Sequence, residues 1–101
     1  MPANSNLKSK EMDMLCQALL QLETVEECYQ FFEDICTMAE MHALSQRLQV
    51  AKMLKDKVTY QEISRLTGAS TATISRVNRC VAYGSGGYGL VLERLDAQGE
   101  Q

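Results

Sequence analysis

Three times in this 101-residue chain a threonine stands three positions ahead of a glutamate at the head of an apolar run: Thr24 with Glu27, Thr37 with Glu40, and Thr59 with Glu62. That spacing suits a capping box, in which the hydroxyl takes an amide proton of the first helical turn while the carboxylate returns to the capping residue's own N–H. Each box commits the chain to a helix start, so the pattern dictates helix after helix. The apolar spacing agrees. From Leu7 to about Leu22, Met12, Leu15, Leu19 and Leu22 recur at steps of three and four, with Cys16 and Leu20 widening the stripe, as in an amphipathic helix. A second helix opens at Thr24 and carries Val25, Cys28, Tyr29, Phe32, Ile35 and Cys36. A third opens at Thr37, turns Met41, Leu44, Leu48, Ala51 and Leu54 inward, and ends near Asp56 or Lys57.

The third box starts a short fourth helix, with Val58 and Ile63 at the two positions of a hydrophobic staple. Gly68 stops that helix after barely two turns, and Ser70 caps a fifth helix from Thr71 to about Val81. Four glycines in YGSGGYG, residues 83–89, predict a flexible linker, and Leu90, Val91, Leu92 and Leu95 predict a last helix over 90–97. No strand precedes those glycines and no Lys-Ser/Thr follows them, so they do not make a phosphate-cradling loop. Residues 1–6, MPANSN, read as a frayed terminus. The expected organisation is one all-α domain over 1–101, with residues 7–57 supplying core and dimerisation helices and 59–81 forming a helix-turn-helix. A chain of this length hides a modest share of its surface as a monomer, and a dimer relieves that shortage.

Charge divides the chain sharply. Between residues 42 and 83, Arg47, Lys52, Lys55, Lys57, Arg65, Arg76 and Arg79 face only Asp56 and Glu62, a net of +5, while the rest of the chain carries −8 and the whole −3. One part attracts phosphate and the remainder repels it. Cys16, Cys28, Cys36 and Cys80 are irregularly spaced and form no C-x-x-C pair, so they read as buried, reduced thiols with no metal site or disulfide framework. His42 is the one histidine and has no nucleophile or carboxylate arranged around it, and no cofactor motif occurs, so the chain is not expected to be an enzyme. No apolar run approaches the roughly 18 residues of a membrane span, and the first residues hold no apolar signal core, which predicts a cytoplasmic protein.

The segment TYQEISRLTGASTATISRVNRCV fills each slot of a helix-turn-helix. Ile63 and Leu66 face inward from the first helix, Ser64 and Thr67 are small at the crossing, Gly68 turns the chain, and Ala69, Ile74 and Val77 close the wedge, with Val81 on the same side. That leaves Thr71, Ala72, Ser75, Arg76 and Arg79 exposed on the second helix, joined by Ser70 and Thr73 at its start and by Gln61 on the first. Hydroxyls read base edges, alanine touches a thymine methyl, and arginine reads guanine or binds phosphate. The expected partner is double-stranded DNA. The alternative is a protein-interaction module that keeps the helical hairpin but binds another protein through its acidic N-terminal half or a groove between helices.

From Thr37 to Cys80 these residues carry a resemblance. The threonine-capped third helix, ALSQR within it, the KDKVTYQEISRLTGASTATISRV core and the closing helix together resemble the tryptophan repressor superfamily, in its YerC/YecD-like branch of small bacterial proteins. The resemblance implies a six-helix tryptophan-repressor-like subunit in an intertwined homodimer, a repressor role on a two-fold operator, and Thr71, Ala72 and Ser75 near bases. Gln61 stands where the repressor has arginine, which implies a different operator. With the loop between the third and fourth helices taken as one residue shorter here, Thr37, Arg47 and Arg76 match residues that contact the co-repressor tryptophan. Val77 replaces the glycine against which the indole packs, and Cys80 replaces a serine, so the departures imply that tryptophan is not a ligand; no cofactor is expected, and a smaller effector or none stays open.

Overall fold

Side-chain caps set nearly every helix start. In the computed structural model, which describes residues 6–99, six helices and no strand are present among the described residues. They are α1 (Lys10–Leu19), α2 (Val25–Ile35), α3 (Met38–Lys55), α4 (Tyr60–Thr67), α5 (Thr71–Tyr83) and α6 (Gly87–Gly99). Most of the expected frayed terminus lies outside the described residues. Thr37 and Glu40 complete their box: the Glu40 amide donates to Thr37 Oγ1 at 3.1 Å and the Thr37 amide to Glu40 Oε1 at 2.8 Å. The other two boxes are half-formed. Thr24 Oγ1 accepts from the Glu27 amide, but the Glu27 carboxylate takes the Glu23 N–H instead; Thr59 Oγ1 accepts from the Glu62 amide, but Glu62 turns to Arg65. Ser9 caps α1, so that helix is shorter at both ends than the Leu7–Leu22 stripe.

The chain, expected as one domain, divides into two compact units, Met1–His42 and Ala43–Gln101. Among the described residues, every buried core residue belongs to the second. There Val50 and Ala51 of α3, Ile63 of α4, Ala69 of the turn, Ile74 and Val77 of α5 and Leu92 of α6 are all at most 3% exposed, flanked by Met53, Leu54, Val58 and Tyr88. Each fully buried Val, Ile or Leu contributes about 1.5–3 kcal/mol. In the first unit no described residue of α1 or α2 is buried, and Met14, Leu20, Val25 and Tyr29 are 60–80% exposed.

Several expectations need correction. The cysteines are free but not buried: Cys16 and Cys80 are exposed, Cys28 and Cys36 half-buried, because α1 and α2 enclose no core and Cys80 lies off the inward arc of α5. Leu66 and Val81 are outward, at 54% and 39% exposure, since Ile63, Ile74 and Val77 already fill the wedge. Leu44 and Leu48 border an open groove instead of the core. The expected 83–89 linker shrinks to Gly84–Gly86: α5 continues to Tyr83, and α6 begins at Gly87, three residues earlier than Leu90. Packing of Tyr88 and Leu92 on the core holds the glycine-rich turn helical despite roughly 1 kcal/mol of unfavourable propensity per glycine.

Candidate nucleic-acid interface

The helix-turn-helix is built on a glycine with φ +76°, a left-handed conformation that side-chain-bearing residues resist, and Gly68 adopts it with open space around its Cα. Three side-chain bonds hold the turn. Ser64 Oγ donates to the Ala69 carbonyl at 2.8 Å, Thr67 Oγ1 donates to the Ile63 carbonyl at 2.7 Å, and the Ala69 amide donates to Thr67 Oγ1 at 3.1 Å. Ser64 and Thr67 are therefore polar clamps as well as small residues at the crossing.

On α5, Thr71, Ala72, Arg76 and Arg79 are exposed, while Thr73 and Ser75 are half-buried, so Ser75 is less open than expected. At 3.6 residues per turn, positions 71, 72, 75, 76 and 79 fall within an arc of about 140° and extend for about 12 Å along the helix, close to the width of a major groove. Ser70 and Thr73 are occupied with each other: the Thr73 amide donates to Ser70 Oγ, which donates in turn to Thr73 Oγ1, both at 3.1 Å. Gln61 is exposed in the first turn of α4.

Ion pairing sharpens the charge argument. Lys52 binds Asp56 at 3.0 Å, Lys55 binds Asp96 at 2.7 Å, and Arg65 binds Glu62. Those bonds raise the Lys52 ammonium and the Arg65 guanidinium above their ordinary ranges and hold the Glu62 and Asp96 carboxyls below theirs. The one carboxylate of the helix-turn-helix is thus neutralised on the spot. Arg76 and Arg79 have no ion-pair partner among the described residues, and α5 contains no acid.

Of the expected pocket residues, Arg47 on α3 and Arg76 on α5 belong to the second unit. Arg47 borders an open groove of about 620 Å³ with Leu44, Leu48, Cys80, Tyr88 and Val91, whereas Arg76 is not among its walls. Thr37 lies in the first unit as the cap of α3. Val77 is 1% exposed within the core. No group of three or more His, Cys, Asp or Glu comes together among the described residues to hold a metal, and no described helix is long and apolar enough to cross a membrane. Sequence reasoning misses Gln46, whose Nε2 donates to the Thr67 carbonyl at 3.1 Å. A glutamine between Leu44 and Leu48 is its only trace in the sequence.

Fold and site together define a helix-turn-helix protein built on six helices. The chain belongs to the Trp repressor protein family, whose profile matches residues 10–96. It is 52% identical over 89 residues to the uncharacterised protein YerC of Bacillus subtilis (strain 168), covering 88% of this chain and 86% of that one. Among solved structures it is similar to a TrpR-like protein from Eubacterium eligens ATCC 27750, with a TM-score of 0.89, 54% identity, and coverage of 92% of this chain and 96% of that one. It is likewise similar to a candidate Trp repressor from Staphylococcus aureus, with a TM-score of 0.87, 52% identity, and coverage of 90% and 91%.

Proposed function

We propose that the chain is a sequence-specific DNA-binding transcriptional regulator of the repressor type, acting as a homodimer on a two-fold operator. The observation that carries this reading is the exposed arc of α5, where Thr71, Ala72, Arg76 and Arg79 stand with no acid on the helix and no ion-pair partner for either arginine. An approaching phosphate backbone meets uncompensated cations, while the hydroxyl, methyl and guanidinium groups supply the means to read base edges. Membership of the Trp repressor protein family supports it, as does similarity to proteins described as TrpR-like.

The dimer is supported by the coreless first unit. Helices of ten and eleven residues are marginal alone in water, and Leu20, Val25 and Tyr29 are 60–80% exposed in the single subunit. Two subunits would read half-sites about 34 Å apart. Tryptophan is not proposed as a ligand: the resemblance sets Val77 where the repressor has glycine, and Val77 is a core side chain at 1% exposure.

The test is selection from a pool of random duplexes at two salt concentrations. Enrichment of a two-fold motif that is lost in Arg76→Ala and Thr71→Ala is expected, with binding that weakens steeply as salt rises. No enrichment and weak retention at low salt would sink the reading and favour a protein partner for the exposed apolar and acidic faces of α1 and α2.

A further inference from the structure

A side chain of α3 reaches into the helix-turn-helix. Gln46, half-buried, donates its Nε2–H to the backbone carbonyl of Thr67 at 3.1 Å, across 21 positions of sequence. Thr67 closes α4, and its carbonyl is one of those an α-helix leaves without an internal donor. The bonds made by Ser64 and Thr67 are all internal to the helix pair, so they fix the shape of the turn but not its orientation on α3. Among the described residues, Gln46 makes the one side-chain hydrogen bond that ties the helix-turn-helix to another helix.

Apolar packing of Ile63, Ile74 and Val77 with Val50 and Ala51 also holds the pair to α3, but such packing has no directional preference. A hydrogen bond does, because it weakens steeply as its angle closes. Only Gly68 and Ala69 separate the anchored Thr67 from Ser70, the cap of α5, and Thr71 and Ala72 follow at once. A rotation at the anchor therefore shifts the residues that face DNA.

We infer that Gln46 is a positioning residue: its amide sets the angle at which α5 is presented, and so governs which sequence is preferred over random DNA. The inference rests on the DNA-binding reading of α5. Attraction to DNA in general comes from Arg76 and Arg79 and does not pass through Gln46.

The experiment compares wild type, Gln46→Met and Gln46→Lys in competition between the selected site and a random-sequence duplex, with the Thr67 carbonyl carbon followed by NMR. Methionine keeps the length and removes the donor; lysine restores a donor, and its added charge strengthens both duplexes alike, leaving their ratio unaffected. Gln46→Met is expected to lose about tenfold in preference, with random-duplex affinity within about twofold, an unchanged salt slope and a displaced Thr67 carbonyl signal. Gln46→Lys is expected to recover the preference. If Gln46→Met keeps the preference after the Thr67 signal has moved, the inference is overturned and the DNA reading stands. If wild type itself selects no sequence, both fall. Should Gln46→Met not fold, Gln46→Lys decides alone: wild-type preference supports the role, and lost preference in a folded protein overturns it.

Discussion

Lys57 is the one described residue other than glycine with a positive φ, at +65°. It stands just past α3, where the Val58 amide donates to the Met53 carbonyl at 3.0 Å and the Lys57 amide to the Leu54 carbonyl at 3.1 Å, the paired bonds of a Schellman motif. Glycine is the usual occupant, because an L side chain costs about 1–2 kcal/mol there. Lys57→Gly removes that strain but frees the unfolded chain, so a net gain of about 0.5–1 kcal/mol is expected, read as a higher urea midpoint at constant slope. Gly68→Ala runs the other way. A methyl group at Gly68 meets nothing within 4 Å, so the expected loss of about 1–2 kcal/mol is conformational strain alone. Arg76→Ala should leave stability within about 0.5 kcal/mol while lowering the slope of log affinity against log salt by about one. A slope equal to wild type would mean that Arg76 touches no phosphate.

At the scale of the element, the completed box on α3 offers a pH signature. Hydrogen bonds from the Thr37 amide and hydroxyl hold the Glu40 carboxyl below its ordinary range. A carboxyl depressed by folding contributes stability above its unfolded pKa and loses that contribution as pH falls through its folded one. The fall in Tm between pH 7 and pH 3 is therefore expected to be smaller in Glu40→Gln, whose amide oxygen still accepts from Thr37 but does not titrate. Equal falls in the two proteins would remove the carboxylate of Glu40 from the account of α3. Helix starts such as this one were legible in the sequence because a cap is decided within four residues. So was the turn at Gly68, and with it the exposure of Thr71, Ala72, Arg76 and Arg79, though not of Ser75. What stayed hidden depends on residues distant in the chain. The outward Leu66, the exposed Cys80, the helical Gly87 and Gly89, and the reach of Gln46 to Thr67 each follow from how α3, α5 and α6 share one small core.

For the whole molecule, the contrast between a unit with a core and one without carries the weight. If the faces of α1 and α2 are covered by a second copy, thermal stability must rise with protein concentration. Leu20→Lys tests this with little cost inside the subunit: Leu20 is 80% exposed, and a cation suits the C-terminal end of α1, whose last turn has none. The variant is expected to shift toward monomer in sedimentation and to flatten the dependence of Tm on concentration. An unchanged sedimentation coefficient at all concentrations would exclude Leu20 from the interface. The coreless unit also bears on how long a chain survives in the cell. Proteases cut segments that open readily, and the rate follows the population of the open form. If a second copy covers α1 and α2, a newly made subunit without a companion offers them to such attack, and the copies expected to persist are those already assembled.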